Sequence, residues 1–361
     1  MERSIVAERT TQPAAAERAS QIAHVSQMSA LALTLRALQP LLSRADVTEL
    51  CINRPGEVFL ETRAGWERHQ LPCADFNWCY RLAKLIGNST RQRITEESPI
   101  LSAALPTGER VQVVIPPATT PGCVALTVRR PADTVWSLAE MSQAGIFASA
   151  RRSTDMLDDT EQALLRLLAD QNFEAFMRAA VKARKNIVVS GQTGSGKTTF
   201  TKALIAEIPA NERLITIEDA QELVLNNHPN HVRLFYSKGD QGQARVTPRQ
   251  LLESCLRMRP DRILLAELRS DEAFDYLRNA NSGHPGSITS VHASSAELAF
   301  EQLTLLVKQS QAGGDLPRED IKHLLYTLID IVVQFSVFNH KRAISEIWYE
   351  PKRKRELAAR A

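Results

Sequence analysis

The run Gly191-Gln192-Thr193-Gly194-Ser195-Gly196-Lys197-Thr198 fits the pattern G-x-x-x-x-G-K-[ST]. Its glycines let the backbone curl until successive N–H groups face one point, which suits phosphate oxygens. Residues 187–189 read as a strand before it and residues 199–208 as a helix after it, so the positive helix N-terminus adds to the site. Thr193, Gly194, Ser195, Gly196, Lys197, Thr198 and Thr199 are the expected nucleotide-binding residues. Lys197 would place its cation on the β- and γ-phosphates of ATP, and the Thr198 hydroxyl would ligate Mg²⁺. The bland alternative is a glycine-rich turn between a strand and a helix. The acidic residues that follow weigh against it.

Residues 214–217 read as a strand ending in Glu218-Asp219, with Glu222 nearby, and residues 262–266 carry Glu267 to a second strand tip. Carboxylates at the C-terminal ends of sheet strands face the ligand crevice of an α/β domain. Hydrolysis of a phosphoanhydride needs one acid near Mg²⁺ and one group to orient or deprotonate water. Glu267 is assigned to Mg²⁺ and Glu218 to water activation, and an exchange of these roles stays open. Either acid alone would read as a capping or surface carboxylate.

His284 and His292 flank a further strand-like run and are too far apart for a helical metal pair. His292, at the end of that run, suits a hydrogen bond to the γ-phosphate. His284 reads equally as a satisfied loop histidine. Arg110 and Arg129 flank strand-like runs in the first half and taken alone are surface charges.

These residues need a scaffold. A chain of 361 residues corresponds to about two domains, and 43% apolar residues suffice for large cores. The net charge of +3, from 44 basic and 41 acidic residues, does not mark a nucleic-acid binder. The five cysteines are odd in number and form no CxxC pair, which excludes a zinc ribbon and a disulfide scaffold and suggests reduced thiols in the cytoplasm. No signal-peptide pattern opens the chain, and the best apolar stretch, residues 324–338, is broken by Asp330 and Gln334. Membrane contact would therefore be peripheral or through partners.

The expected fold is α/β. A flexible extension (1–27) precedes an N-terminal α+β domain (28–130), with leucines at helical spacing from Leu31 and a helix over 78–86. A linker (131–165) leads to a RecA-like P-loop ATPase domain (166–350). A basic tail (351–361) carries Lys352-Arg353-Lys354-Arg355, read as a solvated end or an attraction to anionic headgroups.

The phosphate loop, then Ile217-Glu218-Asp219, then Leu256-Arg257-Met258-Arg259-Pro260-Asp261-Arg262, then Glu267-Leu268-Arg269, then Gly283-His284-Pro285-Gly286-Ser287 and His292-Ala293, resemble the secretion traffic ATPases. They stand in that family's order of Walker A, Asp box, Walker B and His box. The Gly-His-Pro-Gly-Ser box, with Leu105-Pro106-Thr107-Gly108-Glu109-Arg110-Val111-Gln112 and Pro116-Pro117, resembles the VirB-type branch of type IV secretion and conjugation systems. The resemblance spans about residues 33–346.

It implies a homohexameric ring at the cytoplasmic face of the bacterial inner membrane, with ATP and Mg²⁺ between N- and C-terminal domains. It implies partners among the other components of the apparatus, its other ATPases included, and no sequence-specific nucleic-acid binding. Arg110 and Arg129 match arginines that such proteins direct at the phosphates. The alternatives are a pilus or type II secretion motor, or a nucleotide-dependent scaffold that does not hydrolyse. The four-cysteine metal module of many type II members is missing, and a helicase would want a stacking platform that the sequence lacks.

Overall fold

The computed structural model describes residues 30–131, 135–150, 156–237, 242–270, 272–281 and 283–360. The extension expected over 1–27 lies outside them. Two short helices, α1 (residues 30–35) and α2 (Gln39–Leu42), open the described chain. They lead into an antiparallel six-stranded sheet of order β3-β2-β1-β6-β5-β4. Its strands are β1 (Glu49–Ile52), β2 (Glu57–Thr62), β3 (Gly65–Gln70), β4 (Ile100–Ala104), β5 (Arg110–Val114) and β6 (Ala125–Arg129). Helix α3 (Phe76–Ser89) is longer than the expected 78–86 because Asp75 caps it, accepting from the Trp78 N–H at 2.7 Å.

Alternation along the strands explains how this sheet is used. Leu50, Ile52, Val111, Val113, Leu126 and Val128 share a core with Trp78, Leu82 and Ile86 of α3. The residues between them point the other way, as the period of two requires. Val114 and Ala125 there join the core of the second domain, and Gln112 donates to Ser254 Oγ at 2.7 Å. Strands β1, β2, β5 and β6 of the sheet are largely buried on both faces, whereas the edge strand β3 is exposed.

After α4 (Leu138–Gln143), the second domain starts with α5 (Asp159–Ala169) and α6 (Phe173–Lys182). The expected linker end at 165 is thus too late. Asp158 and Glu161 form a capping box on α5, and Leu164 is already in a core with Phe176 and Ile187. The strands are β7 (Ile187–Gly191), β8 (Leu214–Glu218), β9 (His231–Phe235), β10 (Arg262–Leu265), β11 (Ile288–Val291), β12 (Ile331–Phe338) and β13 (Lys341–Trp348). They form two sheets, β10-β8-β9 and β11-β7-β12-β13, parallel except for β13. Beyond the two edges, the Leu268 N–H donates to Ser290 O at 2.9 Å, so β10 and β11 run side by side. Helices α7 (Lys197–Ala206), α8 (Pro248–Cys255), α9 (Glu272–Asn281), α10 (Ala296–Gln309) and α11 (Arg318–Leu328) complete this domain. The broken apolar stretch 324–338 divides between α11 and β12, and no described helix is long and apolar enough to cross a membrane.

The basic tail is a docked helix, α12 (Pro351–Arg360). Lys354 pairs with Asp330 at 2.6 Å, Arg355 with Glu161 at 2.8 Å, and the Arg353 guanidinium lies 3.8 Å from the Tyr326 ring centroid. These contacts hold most of its charge against the protein rather than offering it to a lipid surface.

The domains meet through polar groups and a shared sheet edge. Arg213 Nη1 donates to Asn53 Oδ1 at 2.8 Å, Arg259 Nε to Glu61 Oε2 at 3.0 Å, and the Phe235 N–H to Ala118 O at 2.9 Å. Fully buried Arg262, which opens β10, makes a bidentate pair with Glu212 at 2.7 and 3.0 Å. Removing one partner of such a pair strands a buried charge. Arg262→Leu should cost roughly 3–5 kcal/mol in urea unfolding, whereas Arg262→Leu with Glu212→Leu should recover much of that loss.

Candidate nucleotide site

Strand β7 ends in Gly191, and α7 begins at Lys197, so the phosphate loop turns through five residues at the mouth of the sheet. A Cβ on Gly191 would lie 2.8 Å from both Phe335 O and Ser195 Oγ, so only glycine fits beside β12. Gly196 has φ +107°, outside the range open to other residues, and no side chain caps α7. The first N–H groups of α7 are thus left for a ligand. Lys197 Nζ donates to Gly191 O at 2.6 Å and Gln192 O at 3.0 Å, and lies 3.4 Å from His292 Nδ1. Burial pulls the pKa of this amine down, against the opposing pull of Glu267.

The parallel order brings the ends of β7, β10 and β11 together. A cleft of about 280 Å³ lies there, lined by residues 193–199, Glu222, Glu267, Arg269, Ser290, His292 and Arg342. His292 Nε2 lies 2.7 Å from Glu267 Oε1, while Arg269 bonds Glu267 Oε2 and reaches Asp219 at 3.3 Å. An adjoining recess of about 30 Å³, bordered by Thr198, Glu222 and Glu267, has room for a water. The hydroxyl of Thr198 and the two carboxylates are hard oxygen donors, the chemistry that Mg²⁺ prefers. Among the described residues no group of three or more His, Cys, Asp and Glu is placed to hold a metal ion.

Glu218 is elsewhere. It is fully buried; its Oε1 accepts from the Thr216 hydroxyl at 2.6 Å, and its Oε2 from the N–H groups of Glu222 and Leu223, both at 2.9 Å. Both oxygens are engaged, and the cleft is lined by Glu222 instead. The expectation that Glu218 activates water therefore has no geometric support. Glu218 ties the turn that aims Glu222. The signal for Glu222 was its position in that turn, four residues past the strand tip, but sequence alone does not say which acid turns inward. His284 also lies away from the cleft, with Nδ1 3.1 Å from Pro260 O, and burial lowers its pKa.

Arg110 and Arg129 are cross-strand neighbours, and the row continues through Glu49 and Glu61 to Trp66. Glu61 and Trp66 contact Arg259 and Asp261, which precede β10. Glu267 follows the other end of β10, about 13 Å away at the usual rise over its four residues. No described residue of the first domain lines the cleft. A larger groove of about 740 Å³, among Leu31, Leu35, Leu105 and Pro106, is mostly apolar and holds no comparable reactive set.

The family described as Type II/IV secretion system protein matches residues 34–337. A type IV secretion system protein VirB11 from Bartonella quintana (strain Toulouse) is 46% identical over 348 residues, covering 92% of this chain and 98% of the relative. The corresponding VirB11 from Brucella suis biovar 1 (strain 1330) is 46% identical over 341 residues, covering 93% and 94%. The crystal structure of the VirB11 ATPase from the Brucella suis type IV secretion system, in complex with sulphate, is 46% identical, covers 93% of this chain and 99% of that one, and superposes with a TM-score of 0.89.

One titration should be visible in the arginine row. Burial pushes Glu49 up to about 7 from 4.5, although Arg129 Nε lies 3.5 Å from its Oε1. An acid whose folded pKa is raised costs nothing below its unfolded pKa, and the penalty grows until the folded pKa is passed. Relative to Glu49→Gln, the parent should lose up to roughly 3 kcal/mol of stability as pH rises from 4.5 to 7, measured by urea unfolding across pH.

Proposed function

The chain belongs to the Type II/IV secretion system protein family, as a VirB-type traffic ATPase, and on that premise we propose that it hydrolyses ATP as a ring-forming motor of a type IV secretion apparatus. The observation that carries this reading is the convergence of Lys197, Glu222, Glu267 and His292 on one cleft at the ends of parallel strands. The sulphate named for the Brucella suis structure is a tetrahedral anion and fits the same chemistry.

In this reading the loop N–H groups and Lys197 bind the β- and γ-phosphates. Thr198 and Glu267 would hold Mg²⁺, which would supply positive charge beside the phosphate oxygens. Glu222 orients a water and takes its proton as the water oxygen bonds to the γ-phosphorus. The bond from that phosphorus to the bridging oxygen breaks, and ADP leaves with the electron pair. His292 donates to the departing phosphoryl group.

Arg110 and Arg129 act from a neighbouring copy, since their row faces the opposite edge of their own chain's nucleotide domain. That requirement favours the closed homohexamer. The ring would sit at the cytoplasmic face of the inner membrane against other components of the apparatus.

Lys197→Ala should abolish phosphate release. Glu222→Gln should lower kcat by about 10²–10⁴-fold with nucleotide affinity retained. If Glu218→Gln shows that phenotype and Glu222→Gln turns over normally, the base has been misassigned. Mixing Lys197→Ala subunits with Arg110→Ala/Arg129→Ala subunits should restore part of the turnover that each lacks alone. Mixtures that stay inactive at every ratio would argue against arginines acting between copies.

A further inference from the structure

Strands β12 and β13 form a hairpin whose turn, Asn339-His340, takes two left-handed residues with φ 46° and 62°. Such a turn matches the twist of the strands it joins. Strand β12 lies beside β7 with Phe335 opposite Gly191, so the hairpin rises next to the phosphate loop. On β13, Arg342 pairs with Val337 and lines the phosphate cleft. Its Cδ would sit 3.4 Å from a Cβ built on Gly196, with the Phe335 ring 3.8 Å away. The aliphatic stem thus lies across the loop.

Arg342 differs from the other cations of the cleft. Arg269 is held by Glu267 and Asp219, and Lys197 donates to two loop carbonyls. The Arg342 side chain makes no hydrogen bond or ion pair among the described residues. Arg342 is exposed, its stem passes Gly196 and it lines a cleft built for phosphate, where a guanidinium is a fork-shaped donor suited to two oxygens of one phosphate.

Strand order gives the polarity of the ligand. Glu267 and His292 follow β10 and β11 on one side of β7, and the hairpin stands on the other. With the γ-phosphate at the acids, the chain of phosphates runs from β11 across β7 toward β12. We propose that Arg342 binds the α-phosphate end of the nucleotide in cis, the end shared by ATP and ADP. This rests on the ATPase reading and adds to it a device that holds substrate and product alike. It also links the seating of the β12–β13 hairpin to nucleotide occupancy.

The test is titration of the full-length protein with fluorescent ATP and ADP analogues, beside steady-state kinetics. Arg342→Met keeps the stem on Gly196 and removes the charge, while Arg342→Lys keeps a charge. Arg342→Met should bind both nucleotides about tenfold more weakly, and its loss in kcat/KM should reside in KM, the mark of an interaction equal in ground and transition states. Arg342→Lys should recover most of the affinity. Parent-like ADP binding by Arg342→Met would overturn the assignment, as would a fall in kcat with both affinities unchanged, which would put the guanidinium at the γ end. A parent chain that bound neither nucleotide, with Lys197→Ala no different, would overturn the ATPase reading as well.

Discussion

The site depends on how closely two neighbouring strands pass. Strand β12 runs beside β7 so tightly that a Cβ on Gly191 would meet Phe335 O at 2.8 Å. The chain leaving β7 therefore has to turn without a side chain at that point. It re-enters helix at Lys197, after Gly196 in a left-handed conformation. With no side chain capping α7, its first N–H groups are unspent, and hydrogen-bond donors at a helix start are a natural anion site. The lysine that follows is drawn back over the loop by two carbonyls and lies beside His292.

Around that loop, carboxylates of similar sequence setting have been given different work by burial. Glu267 faces the cleft between His292 and Arg269. Glu218, at the end of a comparable strand, is closed off from solvent and spends its oxygens on Thr216 and on two backbone N–H groups. A carboxylate accepting several such bonds is fixed in place. Its service is geometric, because the turn it secures carries Glu222 to the recess beside Thr198.

The first domain contributes a two-sided sheet. One face is filled by α3, and the other packs on the nucleotide domain through Val114, Ala125 and Gln112. Direct bonds from Asn53, Glu61 and Trp66 fasten it near the N-terminal ends of β8, β9 and β10. This attachment holds Arg110 and Arg129 away from the cleft of their own chain.

The sequence by itself determined the phosphate loop, the strand before it, the helix after it, the strand that delivers Glu267 and the two-domain order. Each of these rests on local rules: glycine conformations, short apolar runs, a fixed order of motifs. It also carried the family, because the loop and boxes stand together. Strands β3 and β4 escaped notice, being short and partly polar, and the linker was drawn through the first turns of α5. The tail read as free charge, because its partners Asp330, Glu161 and Tyr326 lie far away in sequence. Only the tertiary structure decided which acid faces the cleft, which histidine is a loop residue, where Arg342 reaches and on which side the arginine row lies. A residue's type is local, but the direction in which its side chain points is set by the strands and helices packed against it, and those come from distant parts of the chain.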